Sequence, residues 1–275
     1  MTPAAGPRPH GAGLPVGVFD SGLGGLTVAR EILRQLPDES IIYFGDTARV
    51  PYGPKSPETV ARYAVEITDW LMHQGVKAVV VACNTATAHA LPLLAATLPV
   101  PVLGVVEPGA RAAVRAARGV VGVIGTAGTV ASGAYEKAIA EVDPHVQVLV
   151  RACPLFVPLV EEGWTDHPVT RAVAAEYLAP LVDAGVGSLV LGCTHYPLLA
   201  GVLAEVVGPD TVLVDSAERT AAALGERLDQ LGLRAPSGVV VRHRFVASDA
   251  PEQMLVLGRR FLGARIDSVE RVPLG

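Results

Sequence analysis

The stretch Val79–Ala86, with the sequence VVVACNTA, decides the fold class that we expect for this chain. Its apolar, β-branched run is typical of a buried strand, and the small polar residues after it can open a helix. A second stretch, Leu189–Tyr196 (LVLGCTHY), repeats this plan, so that Cys193 follows Cys83 by 110 residues. Ligands of open α/β folds bind at the carboxyl ends of strands, beside helix N-termini. We therefore expect the two thiols to face each other across one cleft.

Other segments repeat at similar offsets and indicate a duplication. Ser21 and Thr126, 105 residues apart, each follow a predicted strand, and Glu107 and Asp215 are 108 residues apart. A repeat this long predicts two similar doubly wound βα domains of the α/β class, related by pseudo-twofold symmetry, with the active site between them. Because chain termini usually lie close together, the tail is assigned to the first domain. The predicted division is 1–106 with 217–275 for the first domain and 107–216 for the second, and 1–13 is expected to be a disordered extension.

Proline and valine patterns set the predicted bounds of three elements. The helix after Cys83 is expected to reach about Ala90, because Pro92 limits its regular extension. Val100–Val106 and Val239–Phe245 are predicted to be strands from their β-branched residues.

Composition disfavours several classes of protein. Half of the 275 residues are apolar, which suits parallel strands covered on both faces. No run reaches the roughly 18 uninterrupted apolar residues of a membrane span, and the N-terminus lacks the apolar region of a signal peptide. A net charge of −5 without a basic block does not suggest a nucleic-acid partner. Three cysteines, an odd number, favour free thiols in a reducing compartment, so we expect a cytoplasmic protein.

On the residues alone, several explanations of the two cysteines stay open. Cys193 and His195 would ligate zinc together with Cys83, but no C-x-x-C or H-x-x-x-H spacing accompanies them. A structural disulfide is disfavoured in a reducing compartment. Two buried structural thiols are an ordinary alternative, because cysteine is commonly buried.

Two-sided proton transfer is the explanation that accounts for the symmetry. Inverting a stereocentre requires a base on one face of a planar carbanion and an acid on the other, and two like domains place one group on each face. Thiols suit this task because their pKa of about 8.5 falls further at a helix N-terminus or near a cation. One thiol and one thiolate then titrate as a coupled pair. Asp20 and His195, one beside each cysteine, are candidate assisting groups.

Four segments resemble the motifs of bacterial glutamate racemases: Phe19–Leu26 (FDSGLGGL), Asp46–Gly53 (DTARVPYG), Ala82–Ala86 (ACNTA) and Gly192–Leu198 (GCTHYPL). The resemblance implies cofactor-independent interconversion of L- and D-glutamate, which supplies D-glutamate for peptidoglycan. It also implies a homodimer, and some glutamate racemases are described as inhibitors of DNA gyrase. An aspartate or hydantoin racemase with the same two thiols, a gyrase-binding protein and a redox sensor remain the alternatives.

The resemblance also implies roles for individual residues. It assigns Cys83 to the D-enantiomer and Cys193 to the L-enantiomer. The assisting groups that it implies are Asp20, Glu161 and His195. The implied substrate contacts are Asp20, Ser21, Tyr52, Gly53, Asn84, Thr85, Thr126, Thr194 and His195.

The sequence favours no cofactor and no metal. Pyridoxal phosphate offers another route to racemisation, but it requires a lysine that forms a Schiff base. Of Lys55, Lys77 and Lys137, only Lys55 lies near a motif loop, so this route is discounted. A dianionic substrate in an acidic protein then depends on local donors, and Asp20 is a candidate acceptor for its α-amino group.

Overall fold

The computed structural model describes residues 11–274, in which strands and helices alternate. The strands are β1 Val16–Asp20, β2 Ile41–Gly45, β3 Ala78–Val81, β4 Val102–Gly104, β5 Val121–Gly125, β6 Val148–Ala152, β7 Ser188–Gly192, β8 Val212–Val214, β9 Arg244–Ala247 and β10 Glu270–Arg271. The α-helices are α1 Leu26–Gln35, α2 Pro57–His73, α3 Asn84–Thr97, α4 Val106–Ala116, α5 Ala127–Ala131, α6 Ala134–Val142, α7 Phe156–Glu161, α8 Pro168–Asp183, α9 Ala200–Val207, α10 Ser216–Gln230 and α11 Pro251–Leu262. Two short 3₁₀ helices cover Tyr196–Leu199 and Gly263–Arg265.

The strands form two parallel sheets that share one topology. The order in the first sheet is β10-β9-β2-β1-β3-β4, and the order in the second is β6-β5-β7-β8. The order 2-1-3-4 of the first four strands recurs as 6-5-7-8, so β3 and β7 occupy equivalent places. Hydrophobic cores cover both faces of each sheet. The predicted α/β class with two doubly wound sheets is therefore confirmed.

Two helices mark where the chain passes between the sheets. Val106, Ala110 and Ala113 of α4 pack in the core of the second sheet. The apolar face of α10 packs in the core of the first sheet beside α1. The proposed domain boundaries, at 106/107 and 216/217, lie near the starts of these helices, and the division itself stays a prediction.

The first of the predicted element bounds to differ is the end of the helix that follows Cys83. This helix, α3, passes through Pro92 and ends at Thr97. Pro92 lies on an exposed face, so water can solvate the carbonyl that loses its backbone donor.

The two strands predicted from valine patterns are also shorter than expected. β4 covers just Val102–Gly104, and Glu107 is already in the first turn of α4. β9 begins at Arg244, which pairs with Ile42 near the start of β2. In this register Ile41, the first residue of β2, is level with His243, so residues 239–242 have no strand opposite them in the described part of the sheet, and Val240 is 79 % exposed.

The expected N-terminal disorder falls largely on residues 1–10, which lie outside the described residues. Residues 11–13 form a turn in which the Leu14 N–H donates to the Gly11 carbonyl at 3.0 Å. Lys77 donates to the carbonyl of Ala12, so this part of the extension is held against the first sheet. Within 11–274, no helix has both the length and the apolar character of a membrane span.

Candidate active site

Cys83 and Cys193 lie at equivalent strand ends, one after β3 and one after β7, and they line one cavity. The cavity measures about 30 Å³, which is room for about one water molecule. A groove of about 550 Å³ between α4 and α10 is far larger, but none of its lining residues is a cysteine. The residues that line the small cavity come from both sheets, and most of them carry a hydroxyl, thiol, amide or imidazole group. It comprises Ser21, Val50, Pro51, Tyr52, Gly53, Cys83, Asn84, Thr85, Thr126, Val157, Cys193, Thr194 and His195.

Cys83 is the N-cap of α3 and is almost fully buried. Its Sγ accepts from the Ala86 N–H at 3.4 Å, and its thiol donates to Ser21 Oγ at 3.6 Å. Burial raises the pKa of Cys83 to about 12, and the carboxylate of Asp20 adds to this, while the bonds to Ala86 and Ser21 oppose it. The expectation of a lowered pKa is wrong for this thiol, because loss of hydration outweighs the helix N-terminus.

Asp20 ends β1 and has no exposed surface. Its Oδ2 accepts from the Gly22 N–H at 3.0 Å, and its Oδ1 accepts from Thr194 Oγ1 at 3.4 Å. Burial raises the pKa of Asp20, while the charge of His195 and backbone N–H donors oppose the rise. The carboxyl therefore joins the Cys83 side of the cavity to the segment that carries Cys193.

Cys193 has a basic neighbour instead of an acidic one. Its Sγ lies 3.8 Å from Nδ1 of His195. Nε2 of His195 lies 3.2 Å from Oε1 of Glu161, within ion-pair range but without hydrogen-bond geometry. Burial lowers the pKa of His195, but contact with Cys193 and Glu161 outweighs it and raises the pKa to about 10. The imidazole is thus protonated at neutral pH, and Glu161, 42 % exposed, connects it to the surface.

Threonine hydroxyl groups from the two halves of the chain also meet at the cavity. Thr85 Oγ1 lies 2.9 Å from Thr126 Oγ1 and 3.1 Å from Thr129 Oγ1. The Gly128 N–H donates to the Gly53 carbonyl at 2.9 Å, and a Cβ at Gly53 would lie 2.8 Å from Thr126 Cβ. The glycine therefore permits a backbone approach that holds the two halves together.

The predicted site residues divide into two groups. Those that line the cavity are Cys83, Cys193, Ser21, Tyr52, Gly53, Asn84, Thr85, Thr126, Thr194 and His195. Asp20 and Glu161 lie behind this layer, each in contact with a residue that does line it. The Tyr52 hydroxyl donates to Asp46, so it is already committed to a partner outside the cavity. The roles of all these residues stay predictions.

The residues at or near the cavity that were not predicted from the sequence include Val157, Asp46 and Tyr135. Val157 lines it, Asp46 holds Tyr52, and Tyr135 donates to Asn84 Oδ1 at 2.7 Å. Asp46 is the first residue of the motif Asp46–Gly53, so the sequence could have indicated its role. Val157 and Tyr135 lie in segments without a motif, so their part in the site depends on tertiary packing.

The zinc site that the sequence left open as an alternative finds no suitable set of ligands in the described residues. Within 11–274, no group of three or more His, Cys, Asp or Glu side chains is arranged to hold a metal ion. The cysteines Cys83, Cys153 and Cys193 are free thiols. Cys153 is buried and donates to the Arg151 carbonyl at 3.7 Å, away from the cavity lining.

Comparison with known proteins places the fold and the motifs in one family. Residues 16–224 match the model of the family described as Asp/Glu/Hydantoin racemase. The glutamate racemase of Geobacter metallireducens is 55 % identical over 260 residues, which are 94 % of this chain and 96 % of that protein.

Solved structures agree with this assignment. The crystal structure of glutamate racemase isoform RacE1 from Bacillus anthracis superposes with a TM-score of 0.91 at 43 % identity, covering 94 % of this chain and 97 % of that one. The glutamate racemase of Francisella tularensis, crystallised in complex with D-glutamate, gives 0.89 at 35 % identity, covering 95 % and 98 %. The chain therefore belongs to the Asp/Glu/hydantoin racemase family and, among its members, to the glutamate racemases.

Proposed function

We propose that this protein interconverts L- and D-glutamate without a cofactor, using Cys83 and Cys193 as acid–base groups on opposite faces of Cα. The observation that carries the proposal is the pair of buried thiols at equivalent strand ends, both lining one cavity. In each direction one cysteine, as a thiolate, removes the α-proton. The other cysteine, as a thiol, donates a proton to the opposite face of Cα. The two domains thus supply two like groups, and neither has to cross the substrate.

The cavity lining supports glutamate as the substrate. Two carboxylates need several donors, and the walls offer hydroxyl groups, the Asn84 amide and the N–H groups at the start of α3. The α-ammonium group needs an acceptor, and we assign this role to Asp20, which lies directly behind the lining in contact with Thr194 and becomes reachable when the two halves part. Once paired with the ammonium, Asp20 no longer raises the pKa of Cys83 to the same extent. Substrate binding therefore favours the thiolate form of Cys83.

His195 serves Cys193 in the same proposal. The imidazolium lies 3.8 Å from the sulfur, so it can return a proton to Cys193 or receive one. Glu161 is the exposed end of this series of contacts and stabilises the positive charge. Because the cavity has room for only about one water, the two halves have to part before glutamate can enter, and their closure around the substrate would then keep bulk solvent from the carbanion.

The experiment that tests the proposal is α-proton exchange in deuterium oxide. Purified protein without added cofactor is expected to wash out the α-proton of L-glutamate while the optical rotation decays to zero. L-Aspartate is the matched control, because an aspartate racemase would exchange it instead. Absence of exchange with glutamate refutes the proposal.

The resemblance, rather than the cavity, supports the wider cellular role. We include in the proposal that the product supplies D-glutamate for peptidoglycan and that the protein is a cytoplasmic homodimer, and we keep binding to DNA gyrase as the alternative function. Gyrase supercoiling in the presence of Cys83→Ser protein tests the last point. Inhibition that persists without racemisation would mark an independent binding function.

A further inference from the structure

Tyr135 is a buried tyrosine to which the proposed mechanism gives no part. It lies near the start of α6 and is 1 % exposed. Its hydroxyl donates to Asn84 Oδ1 at 2.7 Å. Because α6 packs on the second sheet and Asn84 begins α3 on the first, this hydrogen bond joins the two halves of the site.

The ring of Tyr135 lies against the strand end that carries the other cysteine. A Cβ at Gly192 would lie 3.1 Å from Cε2 of the ring, and a Cβ at Gly109 would lie 3.4 Å from the hydroxyl oxygen. Gly192 directly precedes Cys193, and Asn84 directly follows Cys83. One side chain thus contacts the neighbours of both thiols, and two glycines make room for it.

The amide of Asn84 has an unused donor. Asn84 lines the cavity, and its Nδ2 is buried without a hydrogen-bond partner among the described residues. A buried donor without a partner is costly, and carboxylates are pure acceptors. A substrate carboxylate is therefore the natural partner for this N–H group. Turning the amide over would break the bond from Tyr135 to Oδ1 and present an acceptor to the carboxylate.

We propose that Tyr135 is a positioning residue, whose hydroxyl holds the Asn84 amide with Nδ2 directed at a carboxylate of the substrate. This role rests on the proposed function, in which a dianionic amino acid occupies the cavity. Burial raises the pKa of the Tyr135 hydroxyl, so it remains a donor throughout the physiological pH range. Tyr135 acts before any proton moves, and its effect belongs to substrate binding.

The first test is Tyr135→Phe, which keeps the ring and removes the hydroxyl. We expect KM for glutamate to rise about tenfold with a much smaller change in kcat, because the amide loses the bond that orients it. The matched control is Tyr177→Phe. The Tyr177 hydroxyl also has a hydrogen bond, from the Leu155 N–H at 3.4 Å, but Tyr177 is not among the cavity-lining residues. An unchanged KM in Tyr135→Phe overturns the proposal.

A double-mutant cycle separates positioning from a merely structural role. In Asn84→Ala protein there is no amide to orient, so adding Tyr135→Phe is expected to change KM by less than about twofold. If Tyr135 simply supports the fold, the two losses multiply, and the proposal is overturned. Thermal unfolding of all variants is measured alongside to confirm that each protein is folded.

If Tyr135→Phe does not fold, Asn84→Asp provides an independent test. The carboxylate keeps an acceptor for the Tyr135 hydroxyl but places a second oxygen where Nδ2 lay. A side chain held in place then repels the substrate, and KM rises above that of Asn84→Ala, whereas equal values overturn the proposal. Wild-type protein that fails to racemise glutamate refutes the proposed function instead, so the two failures are distinguishable.

Discussion

The two halves of the site share a topology but surround their cysteines with opposite charges. Cys83 caps the 14-residue helix α3 and has the carboxyl of Asp20 nearby. Cys193 is followed by a short 3₁₀ helix and has a protonated imidazole 3.8 Å from its sulfur. The shared topology thus places the two thiols at equivalent strand ends, while the side chains around them differ.

This difference sets the resting state in the proposed mechanism. With its pKa raised to about 12, Cys83 is a thiol at neutral pH and is ready to donate a hydrogen. The positive charge beside Cys193 suits the sulfur that removes one. The free protein is therefore prepared for L-glutamate, the enantiomer assigned to Cys193, and Cys83 has to lose its proton before D-glutamate can react.

The largest effect is expected from removing either thiol. Cys83→Ser and Cys193→Ser should each lower racemisation by about 10³-fold or more, because a hydroxyl is a far weaker acid and base near neutral pH. Each variant should still exchange the α-proton of one enantiomer, L-glutamate for Cys83→Ser and D-glutamate for Cys193→Ser. Proton NMR of each pure enantiomer in deuterium oxide measures this.

Cys153→Ser is the matched control for the two thiol variants. Cys153 is buried to a similar degree but lies outside the cavity lining, so racemisation should persist. Exchange of both enantiomers by either single variant would contradict the assignment of one sulfur to each face.

An intermediate effect is expected from neutralising Asp20. Asp20→Asn removes the second cause of the raised Cys83 pKa, while burial, the first cause, remains. The pKa of Cys83 should fall but stay above that of an exposed thiol, and racemisation should decrease about 10²-fold because the α-ammonium loses its acceptor. The pH profile of iodoacetamide alkylation, in protein that also carries Cys153→Ser and Cys193→Ser, reports this pKa.

Asp215→Asn is the control for that measurement. Asp215 also has a pKa raised by burial, but it caps α10 through a bond from the Ala217 N–H at 2.8 Å and asparagine caps equally well. Its substitution should leave the alkylation profile of Cys83 in place. An unchanged profile in Asp20→Asn would mean that the two groups do not interact.

The smallest effect concerns stability on the Cys193 side. The pKa of His195 is about 10 in the folded protein and about 6.5 in an unfolded chain, so folding tightens proton binding. Its stabilising contribution is complete below about pH 6.5 and is lost as pH rises through 10. Urea unfolding from pH 6.5 to 10 should show a steeper decline for wild type than for His195→Asn. His145→Asn, at an exposed histidine, should follow wild type, and equal slopes for all three would contradict the pKa shift.

Local sequence patterns predicted the elements whose ends depend only on residues of the same segment. The strand before Cys83 and the start of the helix after it agree with prediction, because a β-branched run and small polar residues stand on either side of that cysteine. The end of α3 was predicted too early, because the effect of Pro92 on the helix depends on which helix face is exposed to water. The strand predicted over Val239–Phe245 begins later because a strand needs a partner beside it, and β2 begins at Ile41, one residue before the partner of Arg244. Propensity describes the segment, whereas these outcomes depend on its surroundings.

The site was predictable to the extent that its residues stand in motifs at strand ends. Both thiols and the polar residues next to them line one cavity, as the parallel order of strands requires. The raised pKa of Cys83 was not predictable, since it depends on complete burial beside a carboxyl group. Tyr135 was invisible for a similar reason, because 51 residues separate it from the amide that it contacts.

The protonation states of the two thiols that line the small cavity depend on which substrate has just reacted. In the proposed mechanism, a hydrogen taken from L-glutamate stays on Cys193, and Cys83 has surrendered its own. When D-glutamate departs, Cys83 is a thiolate and Cys193 is a thiol, which is the state that reacts with D-glutamate. Before the next molecule of L-glutamate can react, the two halves must separate. Cys193 must then lose its proton to water, and Cys83 must take one up. Each catalytic cycle therefore contains a reset, and at high substrate concentration this reset, rather than bond breaking at Cα, becomes the step that governs turnover.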